Sequence, residues 1–403
     1  MYQPSKQILQ KYAEVLIWFA LNDEQGLNAW EVVMINIPES AKPMLLPLQE
    51  AVLKRWWHPL IRYFPDGVTR PFFEQATDAQ ISFKPKHYML GRVEDIDHSV
   101  SMIAESDKHE LEGIDPSKIM LSSKAVKFYR DALNTKENKG EFTWTMWLYG
   151  TQAMANEVGL SLEEYRWQII EACYLDDPDP VQKRKDLSTK INFAKDHLNA
   201  LPIERVHVVW EDVDLKVQLG PDRQWMWGTW RNIPSFELFI SPDWRGTTWW
   251  IKFNQPLYRY GNLIKDIELK FENGLVIESK ASQNLAVLQE MISTKNADKV
   301  GEFSLTDNRF SRITKFMGET LYDENVWWPY GNTHVALGMA YKDSLPGDPS
   351  KLSEAEWEAL WYNDSVVHTD IVSTTDRTVT ATMTDGTQQV IYKNWRFTFL
   401  QDE

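Results

Sequence analysis

Histidines and carboxylates that could bind a metal ion stand close together in the second half of this chain. His334 follows the acidic pair Asp323-Glu324, and His368 stands two residues before Asp370 in "NDSVVHTDIVS". Residues i and i+2 of a strand project from the same face, so a strand here would let His368 and Asp370 bind one ion. A His-x-Asp pair also arises by chance, and other ligands are needed to make a site.

The segment "HVALGMAY" ends on a tyrosine seven residues after His334. If this segment is helical, His334 and Tyr341 lie two turns apart on one face. Small residues between them, Ala336, Gly338 and Ala340, would permit close backbone approach. The alternative is a buried helix with a hydrogen-bonded structural histidine.

Two glutamates stand within apolar segments that are typical of strands. Glu237 lies in "NIPSFELFISP" and Glu302 in "ADKVGEFSLTD". A carboxylate is costly to bury unless it is paired or bound to a cation. An edge strand with the glutamate facing solvent is the alternative. Among the other histidines, His207 in "RVHVVW" is expected to be a core residue of a strand.

Composition excludes several classes of protein. The net charge of −15 argues against nucleic-acid binding, which needs a basic surface. One cysteine, Cys173, excludes an internal disulfide and a thiolate zinc site, and fits a reducing compartment. The apolar N-terminal stretch is interrupted by Glu14, and no run reaches the ~18 apolar residues of a membrane span. We therefore expect a cytoplasmic protein without a membrane partner.

Secondary-structure patterns predict an α/β protein with a β-rich back half. A helix over about 5–21, a strand "WEVVMINIP" and a helix "LLPLQEAVLKRWW" indicate a layered sheet at the front. The middle is mostly helical, with Ser161 as an N-cap. Asp385-Gly386 predicts a hairpin among the later strands. We expect an N-terminal α/β and helical domain over 1–200 and a β-rich α+β metal-binding domain over 201–403.

The order of these motifs resembles one known family. "NIPSFELF", then "GE", "TLYDEN", "HVALGMAY" and "NDSVVHTD" follow the pattern of the aminopeptidase T / aminopeptidase S family of two-metal exopeptidases. "LQKYAEVLIWFAL" and "EVGLSLEEY" are similar to its opening and middle helices, so the resemblance extends over most of the chain.

The resemblance implies a binuclear metalloaminopeptidase that hydrolyses the N-terminal bond of a peptide or aminoacyl substrate, acting as a homodimer. It implies Tyr341 as the catalytic tyrosine and Glu302 as a bridging ligand that also acts as general base. Four carboxylates and two imidazoles suit zinc, cobalt, manganese or magnesium, and their charge balances two divalent ions. The ligands that the resemblance implies are Glu237, Glu302, Glu324, His334, His368 and Asp370.

Two departures from the family pattern alter the surroundings of these ligands. Ser235-Phe236 replaces an Asp-Gly pair before Glu237, and the aromatic "VWWPYGNT" lengthens the segment between Glu324 and His334. Trp327, Trp328 and Tyr330 are therefore expected to narrow or cover the site. Two other functions stay open: a mononuclear iron ring-cleaving dioxygenase using His334, His368 and Asp370, and a non-catalytic binding protein descended from a peptidase.

Overall fold

The computed structural model describes residues 3–21, 30–228, 231–259, 262–328 and 331–401. It divides into two compact units, residues 1–184 with 230–233, and residues 185–229 with 234–403. The first is α/β and the second is rich in strands, which confirms the predicted fold class. The predicted domain boundary near residue 200 stays a prediction, because compactness does not show which segment folds alone.

The first unit alternates helices with strands. Its elements are α1 (Lys6–Glu14), continued by a π-helical segment (Val15–Ala20), β1 (Val32–Pro38), a 3₁₀ helix (Glu39–Met44), α2 (Leu45–Leu53), β2 (His58–Phe64), α3 (Thr69–Gln75), α4 (Asp78–Ser82), α5 (Lys86–Asp95), β3 (His98–Ile103), α6 (Pro116–Ala125), α7 (Lys127–Asn138), β4 (Thr143–Leu148), α8 (Gln152–Glu157) and α9 (Leu162–Ala172). The boundary between the two units, at residues 184 and 185, lies within the long helix α10 (Pro180–Ala200).

The strands of the first unit form a parallel sheet in the order β2-β1-β3-β4, extended by a short strand at Asn232–Ile233. Parallel sheets are covered on both faces, and β1 is accordingly a run of apolar residues with only one polar side chain, Asn36. The predicted N-cap is confirmed. Ser161 Oγ accepts from the Glu164 amide, and the Glu164 carboxylate accepts from the Ser161 amide.

The second unit consists mainly of antiparallel strands. Its elements are β5 (Ile203–Trp210), β6 (Val213–Gln218), β7 (Met226–Trp227), then, after the short strand β8 (Asn232–Ile233) of the first unit, β9 (Glu237–Ile240), β10 (Thr248–Lys252), β11 (Leu257–Arg259), β12 (Asn262–Ile264), β13 (Glu268–Glu272), β14 (Leu275–Lys280), α11 (Leu285–Ser293), β15 (Val300–Thr306), α12 (Thr320–Asp323), β16 (Asn332–Gly338), α13 (Glu354–Ala359), β17 (His368–Ser373), β18 (Thr378–Met383), β19 (Gln388–Lys393) and β20 (Arg396–Phe397). Three 3₁₀ turns lie at Trp244–Gly246, Lys342–Ser344 and Pro349–Lys351.

Two large sheets and a small one organise these strands. An eight-stranded sheet has the order β14-β13-β10-β6-β5-β18-β19-β20, a five-stranded sheet has the order β17-β16-β15-β9-β7, and β11 pairs with β12. The predicted hairpin at Asp385-Gly386 is confirmed. It joins β18 to β19, and Gly386 adopts the positive φ of +85° that such a turn requires.

The segment that begins at His334 is a strand, so its prediction as a helix is wrong. Strand β16 is the second strand of the five-stranded sheet, paired with β15 on one side and β17 on the other, and all seven of its residues are buried. A short apolar run does not reveal its period, because a strand buried on both faces loses the alternation that marks an exposed one. Among the helices of the described residues, none has the length and apolarity that crossing a membrane requires.

Candidate metal centre

Five of the six predicted ligands lie on one face of the five-stranded sheet, and the sixth, Glu324, follows helix α12. Glu302 of β15 and Asp370 of β17 stand opposite the same residue, Ala336 of β16, from its two sides. His334 lies two residues before Ala336, and His368 is opposite Gly338. Since residues in register share a face, these four side chains converge over strand β16, which lies between β15 and β17. Ala336 contributes only a methyl group to this face, and a Cβ on Gly338 would lie 2.0 Å from the carbonyl oxygen of Val367.

Two groups of side chains form within this face, and Glu302 belongs to both. His334 Nε2 lies 3.1 Å from Glu237 Oε2 and 3.0 Å from Glu302 Oε1. His368 Nε2 lies 3.3 Å from Asp370 Oδ1 and 3.7 Å from Glu302 Oε2. The two oxygens of the Glu302 carboxylate therefore face different imidazoles.

Both imidazoles are oriented by a backbone carbonyl. His334 Nδ1 donates to the carbonyl oxygen of Glu324 at 3.2 Å, and His368 Nδ1 donates to that of Met339 at 2.8 Å. A carbonyl only accepts, so Nδ1 carries the hydrogen and Nε2 faces the carboxylates. Metal-binding histidines are commonly fixed in this way by a partner at the other ring nitrogen.

Burial and neighbouring charges shift the pKa values of the ionisable side chains at this site. Burial raises the pKa of Glu302 to about 7, helped by Glu237 and opposed by His334. Burial also raises the pKa of Glu324 well above its ordinary value, with Glu237 and Asp370 adding to the effect. Although burial acts to lower it, the pKa of His368 rises to about 9 because Asp370 and Glu302 favour the imidazolium. The carboxylates of Glu302 and Glu324 thus bind a proton or another cation tightly.

Two serines support Glu237, and neither was identified from the sequence as having this role. Ser304 Oγ donates to Glu237 Oε2 at 3.2 Å, and Ser235 Oγ lies 3.5 Å from Oε1. Ser304 occupies β15 two residues after Glu302, so the same i, i+2 spacing that indicates His368 and Asp370 could have indicated Ser304. Ser235 is one of the two residues that replace the family's Asp-Gly pair.

The two acidic residues before His334, Asp323 and Glu324, have different surroundings. Glu324 is buried near the other acids, but it belongs to neither group of close contacts, and its nearest partner is Asn325 Nδ2 at 3.4 Å. The Asp323 carboxylate instead accepts from the backbone amides of Met317 at 2.6 Å and Glu319 at 2.8 Å. Asp323, which is not among the expected ligands, therefore holds the preceding loop.

Tyr341 follows β16 at the edge of the cluster. Its ring centroid lies 4.7 Å from that of His368 and 5.7 Å from that of Phe239. Loss of water around the phenol, and then the charges of Glu302 and Asp370, raise its pKa well above the ordinary value, so the hydroxyl keeps its proton at neutral pH.

Arg259 is a further residue near the site that the sequence did not indicate. Its guanidinium donates to the carbonyl oxygen of His368 at 3.2 Å. Burial acts to raise the pKa of Asp370, but His368, His334 and Arg259 together lower it to about 2. No local pattern predicts this contact, because Arg259 lies in a short strand outside the five-stranded sheet.

The aromatic insertion is described only in part. Trp327 is half-buried, Trp328 is 57% exposed, and their rings meet edge to face at 5.7 Å. Tyr330 lies outside the described residues. The expectation that these aromatic residues narrow or cover the site stays a prediction.

Comparison with known proteins identifies the family. The sequence profile of the thermophilic metalloprotease (M29) family matches residues 5–397. The chain belongs to this family. The resemblance inferred from the motif order is confirmed, as is the prediction of an enzyme of the metalloprotease class.

Relatives of this M29 chain are similar over nearly their whole length. Aminopeptidase AmpS of Bacillus subtilis is 25% identical, over 98% of this chain and 99% of its own. Aminopeptidase T of Thermus thermophilus is 26% identical, over 97% and 98%.

Two solved structures share the fold of this M29 chain. Wild-type AmpT from Thermus thermophilus superposes with a TM-score of 0.84 at 23% identity, covering 98% of this chain and 99% of its own. The 2,5-dihydroxypyridine dioxygenase of Pseudomonas putida KT2440 has a TM-score of 0.50 at 12% identity, covering 99% of each chain. At these identities the likeness concerns the fold alone.

Proposed function

We propose that this chain is an aminopeptidase that hydrolyses the N-terminal bond of peptides at a binuclear metal centre. The observation that carries the proposal is the Glu302 carboxylate, whose two oxygens face His334 and His368 separately. Aminopeptidase activity is the activity named for the relatives AmpS and aminopeptidase T. The ligands that we assign are Glu237, Glu302, Glu324, His334, His368 and Asp370.

The residues present fit two divalent cations. Each Nε2 is directed at carboxylate oxygens that only accept hydrogen bonds, so a proton or a cation must lie between them. Four carboxylates and two neutral imidazoles carry a charge of about −4, which two divalent ions balance. Oxygen and nitrogen donors without thiolate favour zinc, cobalt, manganese or magnesium over copper(I).

The side chains divide the work of hydrolysis. The chemistry that such a cation pair supplies when bound is a water of lowered pKa and a polarised scissile carbonyl. Glu302 accepts the proton of the attacking water and passes it to the leaving amine. The Tyr341 hydroxyl, which stays protonated at neutral pH, donates to the oxyanion of the tetrahedral intermediate. The substrate's free α-amino group would be held at the cation pair rather than by the carboxylates, whose charge the two cations balance, so the site would select chain ends.

The decisive experiment measures cleavage together with metal content. Protein depleted of metal by a chelator is reconstituted with zinc, cobalt, manganese or magnesium and assayed on leucyl-p-nitroanilide and on its N-acetylated form. We expect about two ions per chain, cleavage of the free substrate only, and loss of activity in His368→Ala. His207→Ala is the matched control, because His207 is also a strand histidine with an aspartate partner.

Three results would contradict the proposal. Equal cleavage of the acetylated substrate would exclude recognition of the α-amino group. Full activity in His368→Ala would remove His368 from the centre. Oxygen consumption with one bound iron, and no peptide cleavage, would favour the ring-cleaving dioxygenase, whose fold is shared at a TM-score of 0.50.

A further inference from the structure

A buried arginine in the first unit has no acidic partner among the residues that the structure describes. Arg92 of α5 is 8% exposed, and its Nε is buried with no hydrogen-bond partner. Within the described ranges its guanidinium forms no ion pair; it lies over the rings of Tyr129 at 4.7 Å and Tyr88 at 5.5 Å. A buried cation normally has a counter-ion, because aromatic faces replace only part of its lost hydration.

A second cation lies close to Arg92. Arg62 of β2 is half-buried, and its Nη1 donates to Asn36 Oδ1 at 3.2 Å. Burial lowers the pKa of Arg62, and the charge of Arg92 lowers it further, so the two guanidiniums lie within electrostatic range of each other. In the part of the chain that the structure describes, Arg62 also forms no ion pair with a carboxylate. Two neighbouring cations without an acid favour a bound anion.

Besides Asn36 Oδ1, which accepts from Arg62, the polar groups of this region are hydroxyls that can donate hydrogen bonds. Asn36 Nδ2 donates to Ser99 Oγ and to Ser101 Oγ, each at 3.1 Å, so both serine oxygens accept and their hydroxyl hydrogens stay available. The Tyr129 hydroxyl is buried with no hydrogen-bond partner among the described residues. A cluster of donors without carboxylates is complementary to an oxyanion.

The position of the cluster in the sheet also points to a ligand. The order β2-β1-β3 means that the chain turns from one side of β1 to the other, which places the topological switch point between β1 and β3. Asn36 bridges these two strands, and Asn36, Arg62 and Ser101 stand opposite one another in register. All three lie in the C-terminal halves of their strands. Open α/β sheets bind ligands at this end of the switch point.

We propose that Arg62 and Arg92 bind a phosphate group, free or carried by a small molecule, beside the switch point of the parallel sheet. The planar guanidinium forks match phosphate oxygens in pairs, and a tetrahedral dianion offers acceptors to donors on several sides. Tyr88 is 65% exposed and Arg62 half-buried, so the group is reached from solvent. All the residues of this proposed site belong to the first unit, whereas the candidate metal ligands belong to the second.

Calorimetric titration of the metal-loaded protein with inorganic phosphate, at constant ionic strength in chloride, tests the proposal. We expect saturable binding that weakens about tenfold or more in Arg92→Met and in Arg62→Met, as the loss of charged hydrogen bonds predicts. Arg55→Met is the matched control, because Arg55 also lies over an aromatic ring, that of Trp18 at 5.3 Å, and should keep the affinity within about twofold. Phenyl phosphate in place of inorganic phosphate separates a carried phosphate from a free one.

His368→Ala distinguishes this site from the metal centre and should bind phosphate like the unmodified protein. Loss of phosphate binding in His368→Ala, or unchanged binding in both Arg92→Met and Arg62→Met, would overturn the proposal. Absence of saturable phosphate binding, or tighter binding of succinate than of phosphate, would also overturn it. If Arg92→Met does not fold, Arg92→Lys keeps the charge but loses the fork and should still weaken binding.

Discussion

Two histidine–aspartate pairs on the strands of the second unit differ in what surrounds them. His207 and Asp214, on neighbouring strands β5 and β6, lie 2.7 Å apart, but their side chains are 32% and 45% exposed. His368 and Asp370 lie 3.3 Å apart on one strand, are 16% and 8% exposed, and share Glu302 with a second imidazole. The shorter contact is therefore a surface pair. Burial and a shared carboxylate, rather than proximity alone, distinguish a candidate metal centre.

The largest expected effect comes from removing the shared carboxylate. Glu302→Gln keeps the shape of the side chain but removes the charge that faces both imidazoles, so both ions should bind weakly. Metal catalysis supplies several kcal/mol, so kcat/KM should fall by about 10³-fold or more. Metal analysis and steady-state kinetics check this. Glu268→Gln, which breaks the exposed pair with Lys280 on the other sheet, should change neither quantity.

The next effect concerns the oxyanion rather than the ions. Tyr341→Phe removes one hydroxyl donor and should lower kcat by about 10²–10³-fold, with metal content unchanged. Reduced metal content in this variant would show that Tyr341 supports the ligands instead. Tyr392→Phe is a control on the eight-stranded sheet, where the hydroxyl donates to the backbone carbonyl of Thr306.

A smaller effect is expected from the residue that orients Glu237. Ser304→Ala removes the hydrogen bond to Glu237 Oε2 and should weaken metal binding by about 10–100-fold while excess metal restores activity. Competition with a metal-sensitive chelating dye measures the affinity. Ser282→Ala is the control, because Ser282 donates to the carboxylate of Asp266 away from the centre. Equal metal affinity in both variants would contradict a role for Ser304.

The smallest effect is on stability and appears only after metal removal. Because the pKa of Glu302 is raised to about 7, ionisation of this buried carboxyl group destabilises the folded protein as the pH rises from 4.5 to about 7. Because the pKa of His368 is raised to about 9, the protonated imidazole stabilises the folded protein, and this contribution is lost as the pH rises from 6.5 to about 9. The Tm of chelated protein should therefore fall by several degrees over about pH 4.5–9. Metal-loaded protein should not show this fall, since its ligands no longer exchange protons. Thermal unfolding at a series of pH values measures both.

Much of the candidate centre could be predicted from short-range patterns in the sequence. The spacing of His368 and Asp370 is a strand period, and glutamates within apolar strands mark Glu237 and Glu302 as buried charges. Longer-range contacts were not predictable in this way. Arg259 reaches the site from another sheet, and only tertiary structure separates Asp323, which holds a loop, from Glu324. His207, expected in the core, keeps a partly exposed imidazole because β5 has one open face.

The fold class followed from the change from helix-strand alternation to repeated hairpins. The prediction of a helix around His334 is wrong because a fully buried strand and a buried helix have the same composition. Pairing on both sides determines its conformation, and pairing partners 26 to 40 residues away leave no mark in a local window.

Strand β15 comes unusually close to the chain at the end of β16. At the register shift beside Glu302, a methyl group added to Gly301 would lie 2.3 Å from the carbonyl oxygen of Met339, which is the oxygen that orients His368. A single alanine at this position would push one carboxylate and one imidazole apart without touching either. A design that transfers these ligands to a different sheet would also need a residue without a side chain at the position of Gly301.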